Sequence, residues 1–323
     1  MSVGIASKRN IHTLAKVATK SAHLWGLTGS LELLGQSENL VYKISGFILR
    51  LTENSHRTAT ELNAELDFIA ALSDQNVSVA MPKLSLSGLL VETVDGYHIS
   101  VFKIAKGIVK KASEAFSSLD TAFSLGCELG KMHSLSVSYS PQSDKRHQYA
   151  DITYHKEGLN FIPAVDYLAV EEFKKAMNWV KSLPKIDDAY GLVHMDAHAG
   201  NFCIDDKDKV TLFDFDDCAY NFFSYDLAVP INSLQASDLS DDQKQSARES
   251  LLSGYAEEYT MPEEWLDLIN GFIRFRHIEM FAWRCMMFGA PTSNDGRVDF
   301  VDFYKLSEDF TKPYPELRIK DWF

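Results

Sequence analysis

The sequence predicts an α+β chain in two parts. An antiparallel sheet with one helix spans residues 1–105, and a helix-rich part spans residues 106–323. Two patterns separate the parts. From Leu31 to Ile104, apolar runs of strand length alternate with short polar turns. Beyond Leu119, apolar residues recur at spacings of three and four. A third observation marks the centre of the second part: the helices are interrupted from Tyr190 to Asp217 by short apolar runs around a polar loop.

Residues 9 to 25 read as a helix with Leu14, Val17 and Ala18 inward. Strands flank a turn at Gly35-Gln36-Ser37-Glu38-Asn39. A small polar tip of this kind can lay backbone N–H groups over phosphates, with Ser37 and Asn39 as its candidate contacts. Ser45-Gly46 turns the chain into Phe47–Leu51. Thr60 to Ser73 is a helix, with Leu62, Leu66, Ile69 and Leu72 at spacings of three and four. Strands over Leu84–Thr93 and Tyr97–Ile104 meet at Asp95-Gly96. Residues 119 to 135 form a helix with Phe123, Leu125, Leu129 and Met132 periodic. Its glycines imply close packing, and His133 reads as structural. Residues 136–165 are polar and uninformative. Helices follow over Val165–Leu183, Asp241–Tyr259 and Trp265–Phe288.

The chain has 323 residues, 46% of them apolar, enough to build a substantial core. No apolar run reaches membrane-spanning length, and Met1 to Asn10 carries no signal-peptide core. The four cysteines are scattered without a C-x-x-C pair, as in a reduced, cytoplasmic protein. With 32 basic and 45 acidic residues the formal charge is -13, which argues against a nucleic-acid partner.

The stretch Y-G-L-V-H-M-D-A-H-A-G-N-F-C-I-D-D-K-D-K-V-T-L-F-D-F-D-D holds the densest chemistry. Phosphoryl transfer from a nucleotide needs a carboxylate, as base, to accept the hydroxyl proton, and oxygen ligands for magnesium. Asp196, then Asn201 five residues on, then Asp214 after a further strand supply that set. Protein kinases order an Asp, an Asn and a metal-binding Asp in the same way. A zinc hydrolase using His194, Asp196 and His198 is the rival reading. It lacks the H-E-x-x-H pattern and leaves Asn201 without a task.

The motif H-x-D-x-H-x-x-N, followed by an apolar residue and D-F-D, resembles the aminoglycoside phosphotransferase and choline kinase superfamily. The resemblance covers about residues 30–290 and is densest at 190–228. It implies a two-lobed, protein-kinase-like fold that uses ATP and Mg2+ to phosphorylate a small-molecule hydroxyl. Asp196, Asn201 and Asp214 would be catalytic, with Asn201 and Asp214 as the metal ligands. Arg50 stands where the family commonly has the phosphate-binding Lys; its fork can serve phosphate oxygens. Glu65 would orient Arg50, with Glu61 as the second choice. Phe102 and Ile104 would pack on the adenine where the lobes join, and Asp226 would brace the catalytic loop. A protein Ser/Thr kinase of this type and a nucleotide-binding pseudokinase are the alternatives. The partners expected are a small-molecule hydroxyl substrate, no nucleic acid and no membrane.

The carboxylates Asp196, Asp214, Asp216 and Asp217, with Phe222, Phe223 and Tyr225 as aromatic faces, point to a cationic acceptor. Arg274, Arg276 and His277, on the last helix, point instead to an acceptor carboxylate.

Overall fold

The structure, a computed structural model, describes residues 11–36, 38–141 and 145–289. A first helix, α1 (Ile11–Ala22), precedes strands β1 (Glu32–Gln36), β2 (Leu40–Ile44) and β3 (Phe47–Glu53). Helix α2 (Ala59–Asp74) and strands β4 (Glu92–Val94) and β5 (Tyr97–Lys103) complete one antiparallel sheet, ordered β1-β2-β3-β5-β4. Side chains alternate across β3. Leu49 and Leu51 join α1 residues Leu14, Val17 and Ala18 in one apolar cluster. Arg50, between them, points the other way and meets α2.

Helix α2 starts at a capping box, in which Thr58 and Glu61 satisfy each other's backbone N–H groups. Leu62, Leu66, Ile69 and Leu72 are buried as their spacing predicts, in the large core that the later helices also fill.

The rest of the chain runs through α3 (Ala112–Ala115), α4 (Leu119–Ser138), α5 (Thr153–Lys156), α6 (Gly158–Phe161) and α7 (Tyr167–Ser182). Four short strands follow: β6 (Tyr190–Val193), β7 (Phe202–Ile204), β8 (Val210–Leu212) and β9 (Ala219–Phe222). Helices α8 (Phe223–Gln235), α9 (Asp241–Glu258), α10 (Glu263–Leu266) and α11 (Ile269–Phe288) close the described chain. A β-carbon on Gly126 of α4 would lie 2.0 Å from the Leu251 carbonyl oxygen, and one on Gly254 of α9 would lie 2.1 Å from that of Phe123. The glycines therefore set the α4–α9 approach. No described helix is long and apolar enough to cross a membrane.

Several elements differ from expectation. The Leu84–Thr93 strand shrinks to β4, because Leu84, Leu86 and Leu89 are exposed and the Ser85 hydroxyl instead closes a turn on the Leu89 N–H. Phe123, expected inward, is partly exposed. The helix expected over Trp265–Phe288 breaks between α10 and α11. Residues 136–165 contain short helices, and their Arg146 and His155 are buried.

Candidate active site

On the N-terminal side, Arg50 and Glu65 form a two-pronged ion pair, with Nη1–Oε1 and Nη2–Oε2 each 2.8 Å. Both residues are buried, and the Arg50 guanidinium lies 5.0 Å from the centre of the Phe102 ring. The expected pair thus forms, and Glu61 serves as the helix cap instead. Asn39 is buried, and its Oδ1 accepts the Thr52 hydroxyl at 2.7 Å. Ile104 is exposed just beyond β5, and Ser37 lies outside the described residues.

The catalytic-loop candidate leaves β6 at Val193 and turns through Met195, whose φ of 71° lies in the left-handed region. Asp226, at the start of α8, holds this turn. Its carboxylate accepts the N–H of His194 at 3.3 Å and of Met195 at 2.8 Å. His133 lies 3.1 Å from Asp226 and 2.8 Å from the Tyr255 hydroxyl, so it is structural. His194 is also internal: burial lowers its pKa, and the neutral ring bonds the Phe213 carbonyl at 3.0 Å and receives the Asp196 N–H at 3.3 Å.

Asp196 therefore projects from a fixed backbone. Asn201 Nδ2 donates to its backbone oxygen and to its Oδ2, each at 2.9 Å. His198 Nε2 lies 3.4 Å from the same Oδ2, and Arg276 Nη2 donates to Oδ1. Burial pushes the carboxyl upward, but Arg276 and then His198 hold it well below the usual carboxylate range.

Strands β7 and β8 pair as a hairpin, with a further bond from the Phe213 N–H to the Asn201 carbonyl at 3.0 Å. That pairing brings Asn201 and Asp214 to one place. Asp214 has a φ of 64°, an uncommon conformation for a residue other than glycine and one that clusters at functional sites. Its carboxylate opens into a cleft while protein encloses its other sides; burial and then the Asp216 charge push its pKa up to about 7.

The neighbouring acids differ. Asp216 is buried, yet Arg57, a hydrogen bond from His56 at 3.0 Å and Arg50 hold its pKa well below the usual range. Asp217 pairs with Arg57 at 2.9 Å, and burial together with the Glu38 charge still raises its pKa to about 7. Neither His56 nor Arg57 stood out in the sequence, because nothing in H-R-T-A-T marks them; they lie about 160 residues from their partners.

Asp196, Asn201 and Asp214 line one cleft of about 640 Å³, with Glu38, Tyr154 and Trp283 on its other walls. Phe222, Phe223 and Tyr225 do not reach it. Phe222 stacks on Trp265 at 5.4 Å, Phe223 stacks on His133 at 4.3 Å, and Tyr225 is fully buried. Arg274 is equally internal, paired with Glu172. The cleft's aromatic residues are instead Tyr154 and Trp283, from segments without distinctive patterns.

The fit of a divalent metal can be judged from the donors. Both partners of Asn201 Nδ2 are acceptors, which fixes the orientation of the amide. Its Oδ1, like the Asp214 carboxylate, has no hydrogen bond among the described residues. Two free hard oxygen donors in one cleft suit magnesium or calcium.

The comparisons agree with this geometry. A model of the phosphotransferase enzyme family matches residues 31–265. The chain belongs to that family. Amicoumacin kinase of Bacillus subtilis (strain 168) is 31% identical over 301 residues, covering 88% of each chain. A solved amicoumacin kinase in complex with AMP-PNP, Ca2+ and Ami superposes with a TM-score of 0.81 at 26% identity, covering 91% of this chain and 92% of that one. A microcompartment-associated aminopropanol kinase shares the fold, with a TM-score of 0.70 at 21% identity over 87% of this chain and 91% of that one. As a member of the phosphotransferase enzyme family, the chain is an ATP-dependent, small-molecule phosphotransferase with the two-lobed kinase-like fold. Kinases of this family use ATP with a divalent metal ion.

Proposed function

We propose that the chain transfers the γ-phosphoryl group of ATP, in a Mg2+-dependent reaction, to a hydroxyl of a small amine-bearing molecule. The observation that carries this is the meeting of Asp196 with the free oxygens of Asn201 and Asp214 in one cleft. Bound to those two oxygens, magnesium would neutralise charge on the phosphate groups. Asp196, ionised, accepts the hydroxyl's hydrogen bond and aims its oxygen; so weak a base acts mainly by orientation. Arg50, braced by Glu65, offers its remaining N–H groups to phosphate oxygens. Asn39 covers the phosphates, while Phe102 and Ile104 pack on the adenine. Residues 1–105 are the nucleotide-binding lobe and 106–323 the catalytic and substrate-binding lobe.

The amine follows from the cleft's charges. Asp216 is neutralised by Arg57, His56 and Arg50, and Asp196 by Arg276. Asp217 is less compensated: burial and the Glu38 charge raise the cost of ionising it, and an ammonium group would relieve it. Tyr154 and Trp283 offer rings beside it. Arg276 is already paired with Asp196 and Glu279, which offsets its pull on an acceptor carboxylate. The relatives named for amicoumacin and aminopropanol supply the first acceptors to test.

The test is phosphate transfer from Mg-ATP by the full chain to amicoumacin, aminopropanol, a neutral alcohol and a hydroxy acid. Amine-bearing acceptors should turn over best; preferred turnover of the hydroxy acid would overturn the amine assignment. Asp214→Asn should lower turnover about 10³-fold or more without unfolding the protein, because it removes a metal ligand's charge. Near-normal turnover by that variant at saturating Mg2+ would overturn the metal assignment.

A further inference from the structure

Arg276 is a buried cation on α11, against the loop that carries Asp196. Its Nη1 arm is fully employed. Nη1 donates to the Tyr225 hydroxyl at 2.6 Å, to Glu279 Oε1 at 3.2 Å and to the Met195 carbonyl at 3.5 Å. Tyr225 in turn donates to the same Glu279 oxygen at 2.7 Å. These contacts hold the guanidinium in place, and Nη2 donates to Asp196 Oδ1.

A carboxylate offers roughly two acceptor directions on each oxygen. At Asp196 Oδ2, Asn201 Nδ2 takes one at 2.9 Å, and the His198 ring stands against the same atom with Nε2 3.4 Å away. At Oδ1 Arg276 takes one, and one stays open. Asp196 and Arg276 both line the cleft. We propose that Arg276 is a positioning residue for phosphoryl transfer: it orients Asp196 so that Oδ1 is the oxygen that accepts the acceptor's hydroxyl. The proposal rests on the reading of Asp196 as the hydroxyl's partner. It reverses the role that the sequence suggested for Arg276, from a clamp on the substrate to a clamp on the catalytic carboxylate.

Positioning predicts a kinetic pattern that general loosening of the core does not. With saturating Mg-ATP and the best acceptor of the panel, Arg276→Ala should lower kcat about 10²-fold, the scale of a misplaced reactive group, with nucleotide Kd changed less than about twofold. Guanidinium ion at millimolar concentration should fill the vacated site and raise kcat of that variant about tenfold, leaving KM for ATP unchanged. Arg276→Lys should fall between the two, since an ammonium lacks the fork. Wild-type kcat in Arg276→Ala would overturn the proposal, and so would a loss that guanidinium leaves unchanged and that nucleotide binding shares. If Arg276→Ala does not fold, Tyr225→Phe carries the test, because it frees Nη1 from its closest partner. A severalfold fall in kcat at constant KM for ATP supports positioning, and unchanged kcat overturns it. Asp196→Asn separates this inference from the reading beneath it. If that variant keeps its turnover, the reading of Asp196 itself falls. If it is inactive while Arg276→Ala is fully active, only the role of Arg276 falls.

Discussion

The two walls of the cleft use the same chemical pair in opposite senses. Behind the N-terminal wall, Glu65 is wholly buried and holds the guanidinium of the nearly buried Arg50, so the carboxylate braces the cation. On the C-terminal wall, Arg276 is buried among Tyr225 and Glu279, and Asp196 is the group presented, so the cation braces the carboxylate. Each braced group is thereby held ionised and in one orientation, which is what charge-based catalysis demands of its parts. A buried ion pair is weak evidence for stability, since desolvation offsets most of its attraction. Its place in both walls is better explained by placement of charge.

The comparison can be broken most severely on the N-terminal wall. Glu65→Ala leaves Arg50 buried without its partner and should cost about 3–5 kcal/mol of stability, measured by urea denaturation. Nucleotide affinity should fall with it. Arg50→Lys should keep measurable turnover and Arg50→Ala should mainly raise KM for ATP; a protein indifferent to Arg50→Ala would remove Arg50 from the nucleotide site.

A smaller effect sharpens the C-terminal wall. His277, next to Arg276, bonds Asn232 at 2.8 Å, and burial with the Arg276 charge lowers its pKa to about 4 from 6.5. Between those values the unfolded chain binds a proton that the folded one refuses. The contribution of His277 is therefore complete above about pH 6.5 and lost as pH falls toward 4. His277→Gln should flatten the stability profile across that window by on the order of 3 kcal/mol, read from urea melts at successive pH values. An unchanged profile would mean that burial, reinforced by the Arg276 charge, does not keep His277 neutral. The smallest effect is expected from Thr58→Ala. It removes the cap of α2 and should cost about 1 kcal/mol while leaving KM for ATP within about twofold. A larger rise in KM would show that the register of α2 reaches Glu65.

Legibility followed sequence distance. The Arg50–Glu65 pair spans 15 residues in adjacent elements, and the family resemblance pointed to it. The Arg276–Asp196 pair spans 80 residues, and periodicity on α11 showed only that polar side chains sat among aromatic ones. The same reason explains why Phe222, Phe223 and Tyr225 were assigned to the cleft. They follow the D-F-D-D run closely in sequence, but β9 pairs with β6 and carries them into the core.

What the sequence by itself determined was the order of the chemistry: a carboxylate, an amide and a second carboxylate separated by strand-forming residues. Short-range sterics and hydrogen bonding make such a segment a loop and a hairpin wherever it is placed, and the β7–β8 pairing brings Asn201 to Asp214. The tertiary structure alone decided which charges stay bare. Asp216 and Asp217 are neighbours in sequence with the same intrinsic acidity, yet one is held far below the usual carboxylate range and the other is raised to about 7. That difference depends on where Arg57, His56 and Glu38 arrive from the other lobe. Coulomb energies fall with distance through space and are blind to distance along the chain.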